Sequence, residues 1–385
     1  HGHSIDEVVE RLRRVLAATP SSASPRFLNQ LFGGRDPIAT LAEMLTPLVN
    51  TSMYTYKVAG PQILVEREIL SRMADTIGFD RGEGLLCPGG SMSNLVALLI
   101  ARNEAVESVR DEGLQGERLG VYTSEDGHYS IRKNAGILGL GRRNVHDVAT
   151  DDRGRMRADA LRQAIRSDRS RGIRPIFVNA TAGTTVLGAY DPLREIAEIA
   201  HDEGLWVHVD GAWGGSVALC KAHRELIDGA DIADSFAWNP HKMMGVPLAC
   251  SATLFRRRGL LQKHLNETAD YLFQTHDDEL NPGTRSLQCG RRNDALKLWA
   301  AWQLHGDEGF DRRLCHLFDL AAEAARLIDA DPQLELLARP QSLNVCFAVP
   351  GVSSEAICDR LDRTGRLLIG HGAVGGRSAI RLVLV

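Results

Sequence analysis

Short β-rich runs alternate with helical runs from Leu119 onward, and this alternation limits what the chain can fold into. The predicted strands cover 121–123, 144–149, 176–180 and 205–209, and the predicted helices between them begin at Ile131, Ala158 and Pro192. Strands separated by helices of this length indicate a mainly parallel sheet that is covered on both faces. The sequence therefore predicts an α/β fold.

Four residues with useful chemistry follow predicted strands of this sheet: His128, Thr184, Asp210 and Lys242. Ligands of open α/β sheets bind beyond the carboxyl ends of the strands, so we expect these side chains to lie around one site. The shared placement is a stronger indication than any one residue, because a single histidine or lysine at such a position is more often structural.

Lys242 lies at the centre of residues 233–254, which read ADSFAWNPHKMMGVPLACSATL. Charged residues are scarce in this stretch, so we expect the lysine in a largely apolar environment. Burial lowers the pKa of an amine and makes it a better nucleophile. The pattern indicates a Schiff-base lysine, and a surface lysine in a loop is the alternative interpretation.

Residues 87–94 read CPGGSMSN and lead into a helical run. Small residues at a helix N-terminus leave backbone N–H groups and the positive end of the helix dipole open to an anion. The stretch matches neither a Walker A motif nor G-x-G-x-x-G, so it suits a single phosphate monoester better than a nucleotide. A plain Gly-Ser turn is the alternative.

Charge and cysteine content argue against several classes of protein. The 385 residues carry a formal net charge of −4 and contain no apolar run that could span a bilayer, so we expect no nucleic-acid or membrane partner. The seven cysteines are scattered and include no C-x-x-C pair. This pattern favours reduced thiols in a cytoplasm and predicts no structural metal site.

Asp210 follows a strand that reads as buried, where a carboxylate is costly unless it is paired. The protonated ring nitrogen of a pyridine cofactor would be a suitable partner. Pyridoxal 5′-phosphate needs a lysine for an imine, an acid at the ring nitrogen, an anion site for one phosphate and a group against the ring face. Lys242, Asp210, the turn at 89–93 and His128 meet these needs, and the sequence predicts this cofactor.

The segments HVDGAWGG (208–215) and NPHKMM (239–244) resemble the group II pyridoxal-phosphate-dependent amino-acid decarboxylases, in particular their glutamate, cysteine-sulfinate and aspartate decarboxylase branch. Further similar segments follow in the family's order between Phe27 and about Ala301: FLNQLFGG, NTSMYTY, CPGGSMSN, GHYSI, TAGTTVLGAYDPL, YLFQ and QCGRR. The resemblance implies a fold-type I enzyme with a large seven-stranded, mainly parallel domain, a smaller C-terminal α+β domain, and a homodimer with shared active sites.

The resemblance also implies catalytic roles. Lys242 would form the imine with the cofactor, Asp210 would pair with the pyridinium nitrogen, and His128 would stack on the ring. Tyr271 would lie on a mobile loop that reaches the neighbouring subunit's site and reprotonates the α-carbon. A buried aromatic at the end of a helix is the alternative interpretation of Tyr271.

Binding roles follow from the same resemblance. Arg291 would bind the substrate carboxylate, with a solvated Arg-Arg pair as the alternative, and Ser52 and Tyr54 would lie near the substrate. The remaining residues implied in cofactor binding are Gly90, Ser91, Met92, Thr184, Asn239 and His241.

The implied reaction is α-decarboxylation of a small acidic L-amino acid, aspartate or cysteine sulfinate ahead of glutamate. Departures from the family pattern lie near the substrate mouth: Lys57 replaces an acid, Gly60 replaces a proline, Gly211 replaces an alanine, and 275–287 is short. They leave open a modified or carrier-protein-tethered acidic amino acid as the substrate. Oxidative deamination and a catalytically inactive homologue that acts as a binding protein are further alternatives.

Three regions are expected along the chain. Residues 1–60 would form an N-terminal helical segment for dimerisation, 61–305 the large cofactor-binding domain, and 306–385 a small domain that ends on an apolar strand, as if truncated.

Overall fold

The computed structural model describes residues 2–267 and 280–385. Its helices are α1 (Ile5–Ala18), α2 (Pro37–Val49), α3 (Tyr56–Ala59), α4 (Gln62–Ile77), α5 (Gly90–Ala105), α6 (Val109–Glu112), α7 (Ser130–Ile137), α8 (Ala158–Ser170), α9 (Leu193–Asp202), α10 (Leu260–Leu265), α11 (Ala295–Asp329) and α12 (Ser354–Arg363). Its strands are β1 (Glu83–Cys87), β2 (Leu119–Ser124), β3 (Val145–Val148), β4 (Arg174–Thr181), β5 (Trp206–Gly211), β6 (Ser235–Trp238), β7 (Ser251–Phe255), β8 (Glu335–Ala338), β9 (Asn344–Ala348), β10 (Gly370–Val374) and β11 (Arg377–Val383).

Seven strands form the large sheet, in the order β1-β7-β6-β5-β4-β2-β3. β2 to β6 are parallel where they pair, while β7 runs antiparallel to both of its neighbours. The carboxyl ends of β1, β2, β4, β5 and β6 therefore open onto the same edge. The predicted α/β fold with a mainly parallel seven-stranded sheet is confirmed.

Two hydrophobic cores cover the two faces of this sheet. Tyr122 and Val207 pack in a core with α4, α8, α9 and α11, whereas their neighbours Val121 and Trp206 pack in a second core with α5, α7 and α10. Successive side chains of a strand point to opposite faces, so this division places a helical layer on each side. Strands buried on both faces explain the continuous apolar runs in the sequence.

A smaller antiparallel sheet, β10-β11-β9-β8, forms near the C-terminus and packs against α11 and α12. Helix α11 crosses the predicted domain boundary at 305–306, and its one non-helical residue is Gly306, with φ 61° and ψ −176°. The three predicted domain ranges stay a prediction.

Helix α1 begins as its sequence predicts, with Ser4 and Glu7 bonded reciprocally in a capping box. None of the described residues covers its apolar face: Ile5 is 81% and Leu16 73% exposed, and no residue of the helix is buried. Among the described residues, no helix has both the length and the apolar character needed to cross a membrane.

Candidate active site

A cavity of about 190 Å³ opens at the carboxyl edge of the large sheet, where five loops meet. A cleft of about 680 Å³ beside α4 and β1 contains none of the predicted site residues in its lining, whereas one of about 790 Å³ shares His128 and Tyr129 with the small cavity. Most of the residues predicted to bind the cofactor lie around the small cavity. Its lining consists of Gly90, Ser91, Asn94, His128, Tyr129, Thr181, Gly183, Thr185, Asp210, Ala212, Trp213, Asn239, His241 and Lys242.

Lys242 faces this cavity from the loop that follows β6. The next two residues, Met243 and Met244, are fully buried, and Arg313 donates from Nε to the carbonyl of Met243 at 3.2 Å. This anchoring holds the lysine in place. Burial lowers the pKa of Lys242 to about 8, although the carboxylate of Asp210 acts in the opposite direction. The amine therefore loses its proton far more readily than an exposed lysine does.

Asp210 lies near the end of β5 and is 4% exposed. Its Oδ2 accepts a hydrogen bond of 2.7 Å from Nδ2 of Asn94, and its Oδ1 accepts one of 3.1 Å from the N–H of Ala212. The carboxylate is thus fixed by two donors and still lines the cavity. These two hydrogen bonds set the direction in which the carboxylate faces a ligand in the cavity.

The turn at 89–93, which we predict to bind a phosphate, is already part of a helix, because α5 begins at Gly90. By position, the N–H groups of Gly90 and Ser91 have no acceptor within the helix. A Cβ at position 90 would lie 2.9 Å from Nδ2 of Asn239, so only glycine fits there. The N–H of Met92 instead donates to the carbonyl of Gly89 at 2.9 Å, so a phosphate at this turn would be held by Gly90, Ser91 and Asn239.

The threonine at the cavity differs from the predicted one. Thr184 is buried, and its Oγ1 accepts from the N–H of Ala189 at 3.0 Å. Thr181 and Thr185 line the cavity in its place. Thr181 pairs with Asp210 across β4 and β5, and its Oγ1 is buried with no partner among the described residues. A buried hydroxyl without a partner beside Asp210 fits a polar ligand atom that completes the site.

Both predicted histidines line the cavity. His128 lies 2.8 Å from Oγ of Ser130 through Nδ1, and burial lowers its pKa. His241 lies 2.6 Å from the carbonyl of Cys250 through Nδ1, and burial lowers its pKa to about 4. Both rings are therefore neutral near pH 7, and the stacking role of His128 stays a prediction.

The three residues predicted near the substrate do not line this cavity. Arg291 is buried in a bidentate pair with Glu66, with N–O distances of 2.7 and 2.5 Å. The Oγ of Ser52 accepts from the backbone N–H of Arg291, and the carbonyl of Tyr54 accepts from the N–H of Gly283. A guanidinium neutralised by a buried carboxylate is a poor receptor for a second one, so the placement does not support the role predicted for Arg291.

Arg381 on β11 is an arginine that the sequence analysis missed. Its Nη1 donates to the carbonyl of Thr185 at 3.0 Å and its Nη2 to the carbonyl of Asn29 at 2.5 Å. Its Nε is buried without a partner, and no carboxylate of the described residues lies within ion-pair distance of it. Buried charges are normally paired. This guanidinium, held against a residue of the cavity lining, is therefore suited to an anionic ligand.

Tyr271 and Gly211 complete the set of residues that the sequence singled out. Tyr271 lies outside the described residues. Gly211, which departs from the family's alanine, is required by its neighbour: a Cβ there would lie 2.5 Å from the ring of Phe236. The departure therefore reflects packing behind the sheet.

The site as a whole fits pyridoxal 5′-phosphate. It offers an activated lysine, a fixed carboxylate, free N–H groups at the start of α5, and the unpartnered hydroxyl of Thr181. Lys242 and Asp210 would hold the two ends of the cofactor ring, and Gly90, Ser91 and Asn239 its phosphate.

Comparison with known proteins agrees with this assignment. The family model described as the pyridoxal-dependent decarboxylase conserved domain matches residues 1–350. The chain is 43% identical over 351 residues to human cysteine sulfinic acid decarboxylase, and the aligned region covers 90% of this chain and 71% of that protein. It is 41% identical over 351 residues to the mouse acidic amino acid decarboxylase GADL1, covering 90% of this chain and 64% of that protein.

A solved structure gives the same result at the level of the fold. The crystal structure of mouse CSAD superposes with a TM-score of 0.96 at 39% identity, covering 100% of this chain and 84% of that one. The similarity in sequence and fold, together with the site described above, shows that this chain belongs to the pyridoxal-dependent decarboxylase family and is an amino-acid decarboxylase that uses pyridoxal 5′-phosphate.

Proposed function

We propose that this chain removes the α-carboxylate of a small acidic L-amino acid, aspartate or cysteine sulfinate ahead of glutamate. The observation that carries the substrate class is Arg381, a half-buried arginine whose Nε is buried and which has no carboxylate partner among the described residues, bonded to the cavity residue Thr185. An acidic side chain would supply the missing negative charge in bidentate form. Two of the relatives are a cysteine sulfinic acid decarboxylase and an acidic amino acid decarboxylase, which supports the same class.

The volume of the site supports a small substrate. The cavity of about 190 Å³ has to hold the cofactor ring as well, and beyond it lies a cleft of about 790 Å³ that shares His128 and Tyr129 with the cavity. Trp213 is part of the lining and is fixed by a hydrogen bond from its Nε1 to Oδ1 of Asn344 at 2.9 Å. Asn344 also donates to the carbonyl of Thr185 at 3.0 Å. This rigid wall favours a short acidic side chain.

Different residues of this chain have different roles in the proposed reaction. Pyridoxal 5′-phosphate, when bound, supplies an aldehyde for an imine and a ring that accepts the electron pair left by the departing carboxylate. Asp210 keeps a negative charge at the ring nitrogen. Lys242, whose pKa is lowered to about 8, accepts and returns a proton at Nζ near neutral pH. Tyr271 is our predicted donor of the proton to the α-carbon.

The partner is proposed to be a second copy of this chain. Apolar side chains on α1 and α2 are exposed in the single chain, including Leu16, Met44 and Leu48. Unpartnered apolar faces of this size mark an association surface. The seven cysteines are free thiols, which supports a cytoplasmic location.

Product analysis by mass spectrometry tests the proposed function. The cofactor-loaded protein is incubated with free aspartate, cysteine sulfinate, glutamate or 2,4-diaminobutyrate, with Lys242→Ala as the matched control. We expect an amine from at least one acidic substrate, none from 2,4-diaminobutyrate, and none from the variant. If the protein binds the cofactor but forms no amine from any acid, the free-substrate assignment is wrong, and a tethered acidic amino acid becomes the leading candidate.

A further inference from the structure

A chain of hydrogen bonds runs behind Asp210, through residues to which no role in the reaction has been given above. Asn94, on α5, lies at its centre and is 1% exposed. Its Nδ2 lies 2.7 Å from Oδ2 of Asp210 and 3.0 Å from Oγ of Ser130. Its Oδ1 lies 3.0 Å from Nε2 of His208. One amide therefore contacts three side chains that come from β5 and from the start of α7.

The direction of each bond follows from the chemistry of its two atoms. The amide oxygen of Asn94 can only accept, so His208 donates from Nε2. His208 Nδ1, at 2.9 Å from Oγ of Ser235, is then the acceptor, and Ser235 in turn accepts from Nε1 of Trp206 at 2.8 Å. Burial lowers the pKa of His208 to about 4, in agreement with a neutral ring. If the amide of Asn94 were reversed, its oxygen would lie 2.7 Å from Oδ2 of Asp210, and both atoms are acceptors.

The same reasoning fixes His128. The second hydrogen on Nδ2 of Asn94 is donated to Ser130, whose hydroxyl hydrogen is then free to bond Nδ1 of His128 at 2.8 Å. The backbone N–H of Ser130 also points to that nitrogen, at 3.3 Å. His128 Nδ1 is therefore an acceptor, and the ring proton lies on Nε2. The two residues that would meet the cofactor ring, Asp210 and His128, are thus linked through one amide.

We propose that Asn94 is a positioning residue for the cofactor, which orients the carboxylate of Asp210 directly and the ring of His128 through Ser130, and that His208 keeps the amide in the required orientation. This inference rests on the proposed roles of Asp210 and His128 in the cofactor site. It adds a requirement that neither role contains: position 94 must donate toward Asp210 and accept from His208 at the same time.

Asn94→Asp tests this requirement because the new group can donate only while it is protonated. The titratable groups that face it are Asp210 and, around Asp210, His128, His208 and Lys242. A second carboxyl group beside Asp210 has a raised pKa, so it is a donor at low pH and a repelling charge at high pH. Binding of the cofactor ring should then weaken as the pH rises.

The probe is 4′-deoxypyridoxine 5′-phosphate, which keeps the ring nitrogen and the phosphate but has no aldehyde to react with Lys242. Its dissociation constant is measured on the cofactor-free protein between about pH 5.5 and about pH 8.5, as the ratio of variant to unchanged protein. We expect a ratio of a few-fold at the low end that rises to roughly a hundredfold at the high end, the loss expected for a hydrogen bond to a charged group plus repulsion.

The matched control is Asn103→Asp. Asn103 lies on the same helix, is 5% exposed, and accepts from Arg102 rather than contacting Asp210. We expect its ratio to stay near one at every pH. A ratio for Asn94→Asp that does not change with pH, or one that equals the control, would overturn the inference. Failure of the unchanged protein to bind pyridoxal 5′-phosphate would instead contradict the proposed function.

A second pair of variants decides the matter if Asn94→Asp does not fold. His208→Gln keeps a donor that can reach Oδ1 of Asn94, whereas His208→Leu removes it and leaves the amide free to reverse. We expect the glutamine variant to bind the probe within a few-fold of the unchanged protein and the leucine variant to lose roughly tenfold or more. Equal affinities of these two variants would contradict the role of His208 and Asn94.

Discussion

Replacing Arg381 tests which residue receives the acidic group of the substrate. Arg381→Met keeps the length of the side chain and removes the guanidinium that bonds the carbonyls of Thr185 and Asn29. A hydrogen bond to a charged group contributes about 1.5–3 kcal/mol, and a guanidinium can donate two to one carboxylate. We take about 3 kcal/mol as the loss, which corresponds to roughly a hundredfold fall in kcat/KM for an acidic substrate.

The assay is steady-state decarboxylation per cofactor-loaded site, with kcat and KM determined separately. The acidic side chain of the substrate does not change during the reaction, so Arg381 should contribute similarly to the ground state and the transition state. We therefore expect most of the loss as a rise in KM. The KM of Arg381→Lys should lie between that of the unchanged enzyme and that of Arg381→Met, because lysine keeps the charge but cannot bond both carbonyls and a carboxylate.

Arg291→Met is the matched control, since it removes the arginine that the family resemblance assigned to the substrate. It leaves Glu66 as an unpaired buried charge, which costs about 3–5 kcal/mol of stability. We expect a clear fall in Tm, but at most a few-fold change in KM for the folded, loaded enzyme. An unchanged KM in Arg381→Met would refute our reasoning, and a large rise in KM in Arg291→Met would return Arg291 to the substrate site.

The remaining predictions concern the cofactor, the partner and the lid. Because the pKa of Lys242 is lowered to about 8 from 10.5, the rate of imine formation between cofactor-free protein and pyridoxal 5′-phosphate, followed by absorbance, should rise with pH and level off above about pH 8; a continued rise toward pH 10.5 would show an unperturbed lysine. Thr181→Val should weaken cofactor binding by about fivefold to tenfold in an equilibrium titration without lowering Tm, since its hydroxyl has no partner in the described part of the chain, whereas Thr184→Val should lower Tm because it loses the bond to Ala189. Leu16→Glu, at an exposed position of α1, should shift the protein toward the monomer in light scattering, and an unchanged mass would show that α1 does not contribute to the dimer. Tyr271→Phe should divert product from amine toward aldehyde in mass spectrometry, and an unchanged amine yield would remove Tyr271 from the mechanism.

Local sequence patterns predicted the elements that carry the site. The strands near 121–123, 176–180 and 205–209 were found because residues buried on both faces leave continuous apolar runs. Polar residues directly after such runs then identified Asp210 and Lys242, since parallel strands end at a shared edge. The start of α5 was placed too late, because Gly90 has low helix propensity yet is required by the contact with Asn239.

The direction of side chains within a loop was harder to predict from the sequence. Thr181, Thr184 and Thr185 are almost adjacent and chemically alike, so composition and spacing do not separate them. The separation comes from the backbone: the N–H of Ala189 bonds Oγ1 of Thr184 and turns it away from the cavity, while Thr181 lies opposite Asp210 in the sheet. A one-residue change of position in an extended segment moves a side chain to the other face, so a motif alone could not select the right hydroxyl.

The two arginines show why long-range contacts limit such predictions most strongly. Arg291 follows a recognisable motif, yet Glu66, distant in sequence, occupies its guanidinium. Arg381 has no local signal, and its bond to Thr185 joins positions 196 residues apart. A charge becomes a receptor only when folding leaves it without compensation, and compensation depends on every element that packs around it. The same condition makes Arg381 informative: no carboxylate of the described residues pairs with it beside the cavity of Lys242, and in our proposal an acidic substrate supplies that charge.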